Sequence, residues 1–252
     1  MSEPQILVHA DASHLAKAVA TRLISKLTNS CAVAGHASLV LTGGTIGIQV
    51  LAEIAAAPGR TAVDWHSLDI WWGDEAFLPA GDPARVETQA RAALLDHVDV
   101  SDGCVHPMPS LHGDDGDDPD AAAATYAAQL MSAADDDMQV PVPSFDVLLL
   151  GIGPDAHIAS LFPGMPALKE EARTVVAVRD APKPPPTRIS LTLPAIRSAR
   201  EVWLVASGTD QADAIRLALS SASPLHVPAA GARGQRQTVF LMDRDAAQYV
   251  SE

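Results

Sequence analysis

Short apolar runs alternate along this chain with longer Ala-rich stretches whose apolar positions recur at helical spacing. The runs at 6–9, 38–41, 69–72, 147–150, 174–178, 189–193, 201–206 and 238–242 predict strands. Between them, 13–27, 46–57, 84–97, 121–134 and 210–219 read as helices. Strands alternating with helices of roughly ten to fifteen residues predict an α/β fold. The expected architecture is a single doubly wound, mostly parallel, Rossmann-like sheet with helices on both faces. No internal repeat or clear linker interrupts the pattern, so residues 1–252 are expected to form one domain. The Asp/Gly-rich segment 112–120 and the Pro-rich 182–186 read as surface loops.

Composition narrows the classes. A hydrophobic share of 48% is ample for a sizeable core, and only 4% aromatic residues with abundant Ala points to helices packed through small side chains. No apolar run approaches the roughly 18–20 residues of a membrane span. The N-terminal sequence lacks the basic and apolar regions of a secretory signal. Cys31 and Cys104 lie far apart without metal-type spacing, which predicts a reducing cytoplasm and no disulfide framework. A net charge of −14 excludes nucleic acid and anionic membrane as partners, because both require a basic face. It does not exclude a small anionic substrate, for which a few cations in one pocket suffice. Part of the acidic excess is local, in Asp114, Asp115, Asp117, Asp118 and Asp120 and again in Asp135, Asp136 and Asp137.

The richest chemistry lies at 145–164, where the run Val147 to Leu150 stops at Gly151-Ile152-Gly153-Pro154-Asp155 and His157 follows two residues later. A buried strand that delivers an acid and an imidazole onto a turn at its carboxyl end marks a ligand site in an open α/β sheet. The same turn fits the dinucleotide fingerprint through Ala156. No strand ending in an acid follows at the required distance, however, since Glu170 and Glu171 precede theirs. A second turn, Thr42-Gly43-Gly44-Thr45, follows a strand and opens a helix, so its N–H groups suit a phosphate. Trp72-Gly73-Asp74-Glu75 places adjacent carboxylates at a strand end, fit to orient an imidazole, hold sugar hydroxyls or cap the next helix. Lys183-Pro184-Pro185-Pro186-Thr187-Arg188 stiffens a loop that carries two cations. The order of acids in 114–120 is not that of a calcium loop, and no nucleophile elbow surrounds Ser160.

Together these four elements resemble the 6-phosphogluconolactonase family, in order and over nearly the whole chain. The most specific is Gly-Ile-Gly-Pro-Asp-Ala-His-Ile-Ala-Ser-Leu-Phe-Pro-Gly at 151–164, whose tail separates lactonases from the related glucosamine-6-phosphate deaminases. The resemblance implies hydrolysis of 6-phosphoglucono-δ-lactone in the oxidative pentose phosphate pathway without a metal or other cofactor. It casts His157 as general base and Asp155 and Asp74 as its orienting or polar partners. Gly43, Gly44, Thr45, Glu75, Lys183 and Arg188 would bind substrate and its phosphate. It also implies a monomer or weak homodimer. Within that frame the chain departs from the usual pattern. Ala76 stands where an Arg is usual, Val86 for an Asn, Ala156 for a Gly, Arg197 for an Asn, and Thr45-Ile46-Gly47 for Ser/Thr-x-Pro. Arg85, Arg179 or Arg197 is expected to replace the missing cation. A sugar-phosphate-binding relative with weakened or shifted activity and, further off, an amino-sugar-phosphate deaminase remain the alternatives.

Overall fold

A computed structural model describes residues 3–135, 138–220 and 222–250, so Asp136 and Asp137 of the second acidic stretch fall outside the described residues. From the N-terminus the elements are β1 (Gln5–His9), α1 (Ala12–Ala34), β2 (Ala37–Leu41), α2 (Gly44–Ala56), β3 (Leu68–Trp72), β4 (Asp74–Ala76) and α3 (Val86–Ala93). They continue with α4 (Pro119–Ser132), β5 (Val147–Gly151), β6 (Val175–Val178), β7 (Arg188–Leu191), α5 (Leu193–Arg197), β8 (Glu201–Ala206), α6 (Ala212–Ala218), α7 (Pro228–Gly231) and β9 (Gln237–Asp243).

Local signals explain where several of these begin and end. Asp11 caps α1 by accepting from the His14 N–H, and Gly35, at φ +74°, closes it in the left-handed conformation that glycine adopts without penalty. Asp118 caps α4, with Pro119 in the first turn.

Six strands form the main sheet in the order β1-β9-β8-β5-β2-β3, all parallel. Its central strands are buried on both faces: every residue of β2 is buried, as are the first four of β5. The chain passes outward from β2 to β3 in one direction and from β5 to β8 and β9 in the other. Right-handed crossovers therefore place α1 and α2 on one face and the β8–β9 connection on the opposite face. This is the doubly wound α/β arrangement expected. The direction of winding reverses between β2 and β5, and there the strand ends leave a crevice.

Strands β4, β7 and β6 form a second, antiparallel sheet, in which Asp74 pairs with Ser190 and Ala76 with Arg188. The runs at 174–178 and 189–193 thus enter this small sheet rather than the parallel one. Pro194 starts α5 and takes Leu193 out of the predicted strand. The predicted helix at 84–97 splits into α3 and a short turn at 95–97, and 210–219 begins with a tight turn before α6.

Burial is continuous from Leu15 on α1 to Ala246 after β9, with Trp71, Trp72, Trp203 and Phe240 as large anchors. A smaller cluster of Phe162, Val176, Val178 and Ala181 lies under the second sheet. Among the described residues no helix is long and apolar enough to cross a membrane.

Candidate active site

At the reversal between β2 and β5 two turns face one another. The Gly151 N–H donates to Thr42 Oγ1 at 3.1 Å, which ties the end of β5 to the end of β2. Gly43 precedes α2 without a side-chain cap, and Gly44 sits at φ +80°. The first N–H groups of α2 therefore lack a side-chain acceptor and lie at the positive end of the helix, a ready anion site. A Cβ on Gly43 would come within 2.6 Å of Val86 Cγ2, so α3 closes the far wall of this turn.

The second turn presents His157. Its backbone is closed by Ala156 N–H to the Gly153 carbonyl at 2.8 Å and Gly153 N–H to the His157 carbonyl at 2.9 Å. The Asp155 carboxylate holds His157 Nδ1, and the Phe162 ring stacks on the imidazole with centroids 4.5 Å apart and 29° between planes. With Nδ1 occupied, the proton sits there and Nε2 keeps the basic lone pair. Burial holds the imidazole below its ordinary value of 6.5. Asp155 opposes this shift, and the Lys183 charge reinforces it. His157 is therefore neutral at pH 7, as a base must be. For Asp155 burial raises the carboxyl, but the hydrogen bond and charge of His157 outweigh it and hold the group below its ordinary value.

Ala156 adopts φ +64°, so the left-handed conformation expected of a Gly there is kept by an Ala. His157 keeps its contact with the Asp155 carboxylate. The strain is held by the turn bond to Gly153 and by the Ala229 N–H of α7, which donates to the Ala156 carbonyl at 3.0 Å.

Across the crevice, Asp74 begins β4. Its Oδ2 accepts from Ser160 Oγ at 2.7 Å and lies 3.8 Å from Arg188 Nη1. Arg188 is aimed by its own loop, donating to the carbonyls of Pro185 at 3.0 Å and Pro184 at 3.1 Å. Asp74, His157, Gly43, Gly44, Lys183 and Arg188 line one cavity of about 330 Å³. Asp155 stands behind His157, while Thr45 lines the adjoining spaces rather than this one.

One expected contact is corrected. Glu75 is 1% exposed and turns away from the cavity to receive the N–H groups of Val86 at 2.7 Å and Glu87 at 2.8 Å, capping α3 from a distance. Burial pushes its carboxyl up to about 7, opposed by Arg85 and by the backbone donors. The three candidate replacement arginines are also elsewhere. Arg85 is fully buried and donates to Met108 O at 2.7 Å and Leu78 O at 3.2 Å. Arg179 pairs with Asp120 at 2.8 Å, and Arg197 donates to Gly231 O at 2.8 Å. Ala76 and Val86 instead form an apolar wall beside Arg188.

Sequence reasoning did not find the roles of Ser160, Phe162 and Gln211. The first two lie in the tail of the 151–164 motif, which was a usable signal. Gln211, which lines the cavity from the start of α6, carried none. Among the described residues no cluster of three or more His, Cys, Asp or Glu is arranged to hold a metal ion.

With this geometry in view, residues 10–241 match the family model described as glucosamine-6-phosphate isomerases/6-phosphogluconolactonase. A 6-phosphogluconolactonase of Streptomyces coelicolor is 54% identical over 244 residues, covering 97% of this chain and 94% of that protein. One from Mycobacterium tuberculosis is 49% identical over 243 residues, covering 96% of each. The solved 6-phosphogluconolactonase of Trypanosoma brucei superposes with a TM-score of 0.86 at 28% identity over the full length of both chains.

Proposed function

The chain belongs to the glucosamine-6-phosphate isomerase/6-phosphogluconolactonase family, and we propose that its own reaction is the hydrolysis of 6-phosphoglucono-δ-lactone to 6-phosphogluconate. One observation carries this reading. A neutral imidazole, fixed by Asp155 so that Nε2 is free, shares a cavity with an uncapped helix N-terminus and two cations.

In this reaction the phosphate rests on the N–H groups at Gly43, Gly44 and Thr45, with Arg188 and Lys183 supplying charge. The lactone carbonyl then lies toward His157. Nε2 takes a proton from water as its oxygen bonds to the carbonyl carbon. Asp155 stabilises the imidazolium that forms, and Asp74 adds negative charge within electrostatic reach. The tetrahedral intermediate collapses with cleavage of the ring C–O bond, and the proton passes from His157 to the departing ring oxygen. A general base contributes about 10²–10⁴-fold, and holding water and carbonyl in register adds to it.

The same reading has residues 1–252 acting as one lactonase-like domain in the cytoplasm, where Cys31 and Cys104 stay as free thiols, and as a monomer or weak homodimer. A substrate-shifted relative is the second reading, supported by the apolar wall of Ala76 and Val86. A pH-stat assay on freshly prepared lactone tests both. We expect turnover well above buffer and a loss of about 100-fold or more in His157→Ala. A rate no faster than buffer, unchanged in that variant, refutes lactone hydrolysis, and saturable phosphosugar binding without turnover favours the second reading.

A further inference from the structure

Away from the His157 cavity, Arg197 and Arg233 line a separate open cavity of about 720 Å³, and the two cavities share no lining residue. Arg197 uses Nε to reach the Gly231 carbonyl at 2.8 Å, and Arg233 uses Nη1 to reach the Ala232 carbonyl at 3.0 Å. Each bond engages one N–H of its guanidinium, and among the described residues neither side chain makes another hydrogen bond. Among the described residues no carboxylate lies within 4.0 Å of either. The two charges also feel each other: burial first, and Arg197 second, hold Arg233 below its ordinary value.

The surroundings fit a ligand. Leu219, Pro224 and Ala230 provide an apolar wall. Gly231 allows the close fit, since a Cβ there would meet Pro224 Cβ at 2.9 Å and Arg197 Nη2 at 3.1 Å. Two planar forks lining one cavity suit the oxygens of a phosphate, whose negative charge complements the two cations. We propose that this cavity is a second anion site that binds an organic phosphate monoester, its phosphate held by Arg197 and Arg233 and its organic body against the apolar wall.

Calorimetric titration with phenyl phosphate tests this. The unmodified protein is expected to bind two equivalents, one in each cavity. Arg233→Gln is expected to lose the second equivalent, by about tenfold or more in affinity, with kcat/KM for the lactone unchanged. Arg233→Lys, which keeps the charge, is expected to retain part of it. Arg188→Gln is expected to lose only the catalytic-cavity equivalent, so failure of the catalytic reading and failure of this one are distinguishable. Should Arg233→Gln not fold, the Arg Nε–H resonances of the unmodified protein report directly, and those of Arg197 and Arg233 are expected to shift on titration. An isotherm in Arg233→Gln identical to that of the unmodified protein, or unmoved arginine resonances, overturns the proposal.

Discussion

Gly153→Ala isolates the positioning of His157. Gly153 carries no positive φ, so an alanine there meets no backbone strain. The obstacle is steric. Its Cβ would overlap His157 Cε1 and Nδ1 and come within 2.7 Å of Asp155 Oδ1, whereas carbon contacts settle at about 3.5–4.0 Å. The neighbour cannot yield cheaply, because the imidazole is held on one side by Asp155 and on the other by the Phe162 ring. The ring must retreat by about 1 Å or more, and misplacement of that size costs on the order of 100-fold in rate. We therefore expect kcat to fall about 100-fold or more, toward the level of His157→Ala. The overpacking should also lower stability by about 1–3 kcal/mol. A pH-stat assay paired with thermal unfolding measures both. A Gly153→Ala enzyme that folds and keeps its rate within about threefold refutes the placement of His157.

Three further outcomes follow from the same geometry. Ser160→Ala removes a hydrogen bond to the buried carboxylate of Asp74, and we expect about 1.5–3 kcal/mol lower stability by denaturant unfolding; a change under 0.5 kcal/mol would show that this bond does not hold Asp74. Because His157 must be neutral to accept a proton and lies below 6.5, kcat/KM should fall only as pH drops below 6.5. In Asp155→Asn the acid limb should move lower still, since Asp155 raises the imidazole, while the plateau falls with the loss of the held tautomer; a limb shifted upward contradicts the pair. Ala156→Gly relieves about 1–2 kcal/mol of left-handed strain but loses a buried methyl of about 0.8 kcal/mol and adds unfolded-chain entropy of about 0.4–1 kcal/mol, so both Tm and kcat should stay near the parent values. A tenfold drop in rate would show that Ala156 has a role of its own.

The parallel sheet and the two site turns were legible because their signals are local: an apolar run, then glycines, then a polar group. The small sheet was not, because β4 has three residues and its pairing partners Ser190, Ile189 and Arg188 are distant in the chain. That omission had a consequence at Glu75. Neighbouring residues in a strand point to opposite faces, so once Asp74 faces the cavity Glu75 must leave it. Read as a turn, Asp74 and Glu75 look equivalent; read as a strand, they cannot be. The arginines show the other limit. Whether Arg85, Arg179 or Arg197 reaches the cavity depends on where α3, β6 and α5 are folded, and no periodicity in the sequence carries that information.

The ten residues from Gly153 to Phe162 act as one device, and their order explains why the second sheet abuts the first. Gly153 leaves room for the imidazole, Asp155 holds its Nδ1, and the Phe162 ring stacks against it. Ser160, in the same segment, reaches 86 positions back in the chain to hold Asp74, while its own N–H is received by Ser190 Oγ on β7 at 3.2 Å. The segment that carries the proposed base is therefore bonded directly to β4 and β7, the strands that carry Asp74 and Arg188. Loosening the small sheet should displace the carboxylate and the cation from the proposed base together, and because Val175, Ile189 and Leu191 of that sheet are buried in the main core, the site is tied to the core through it.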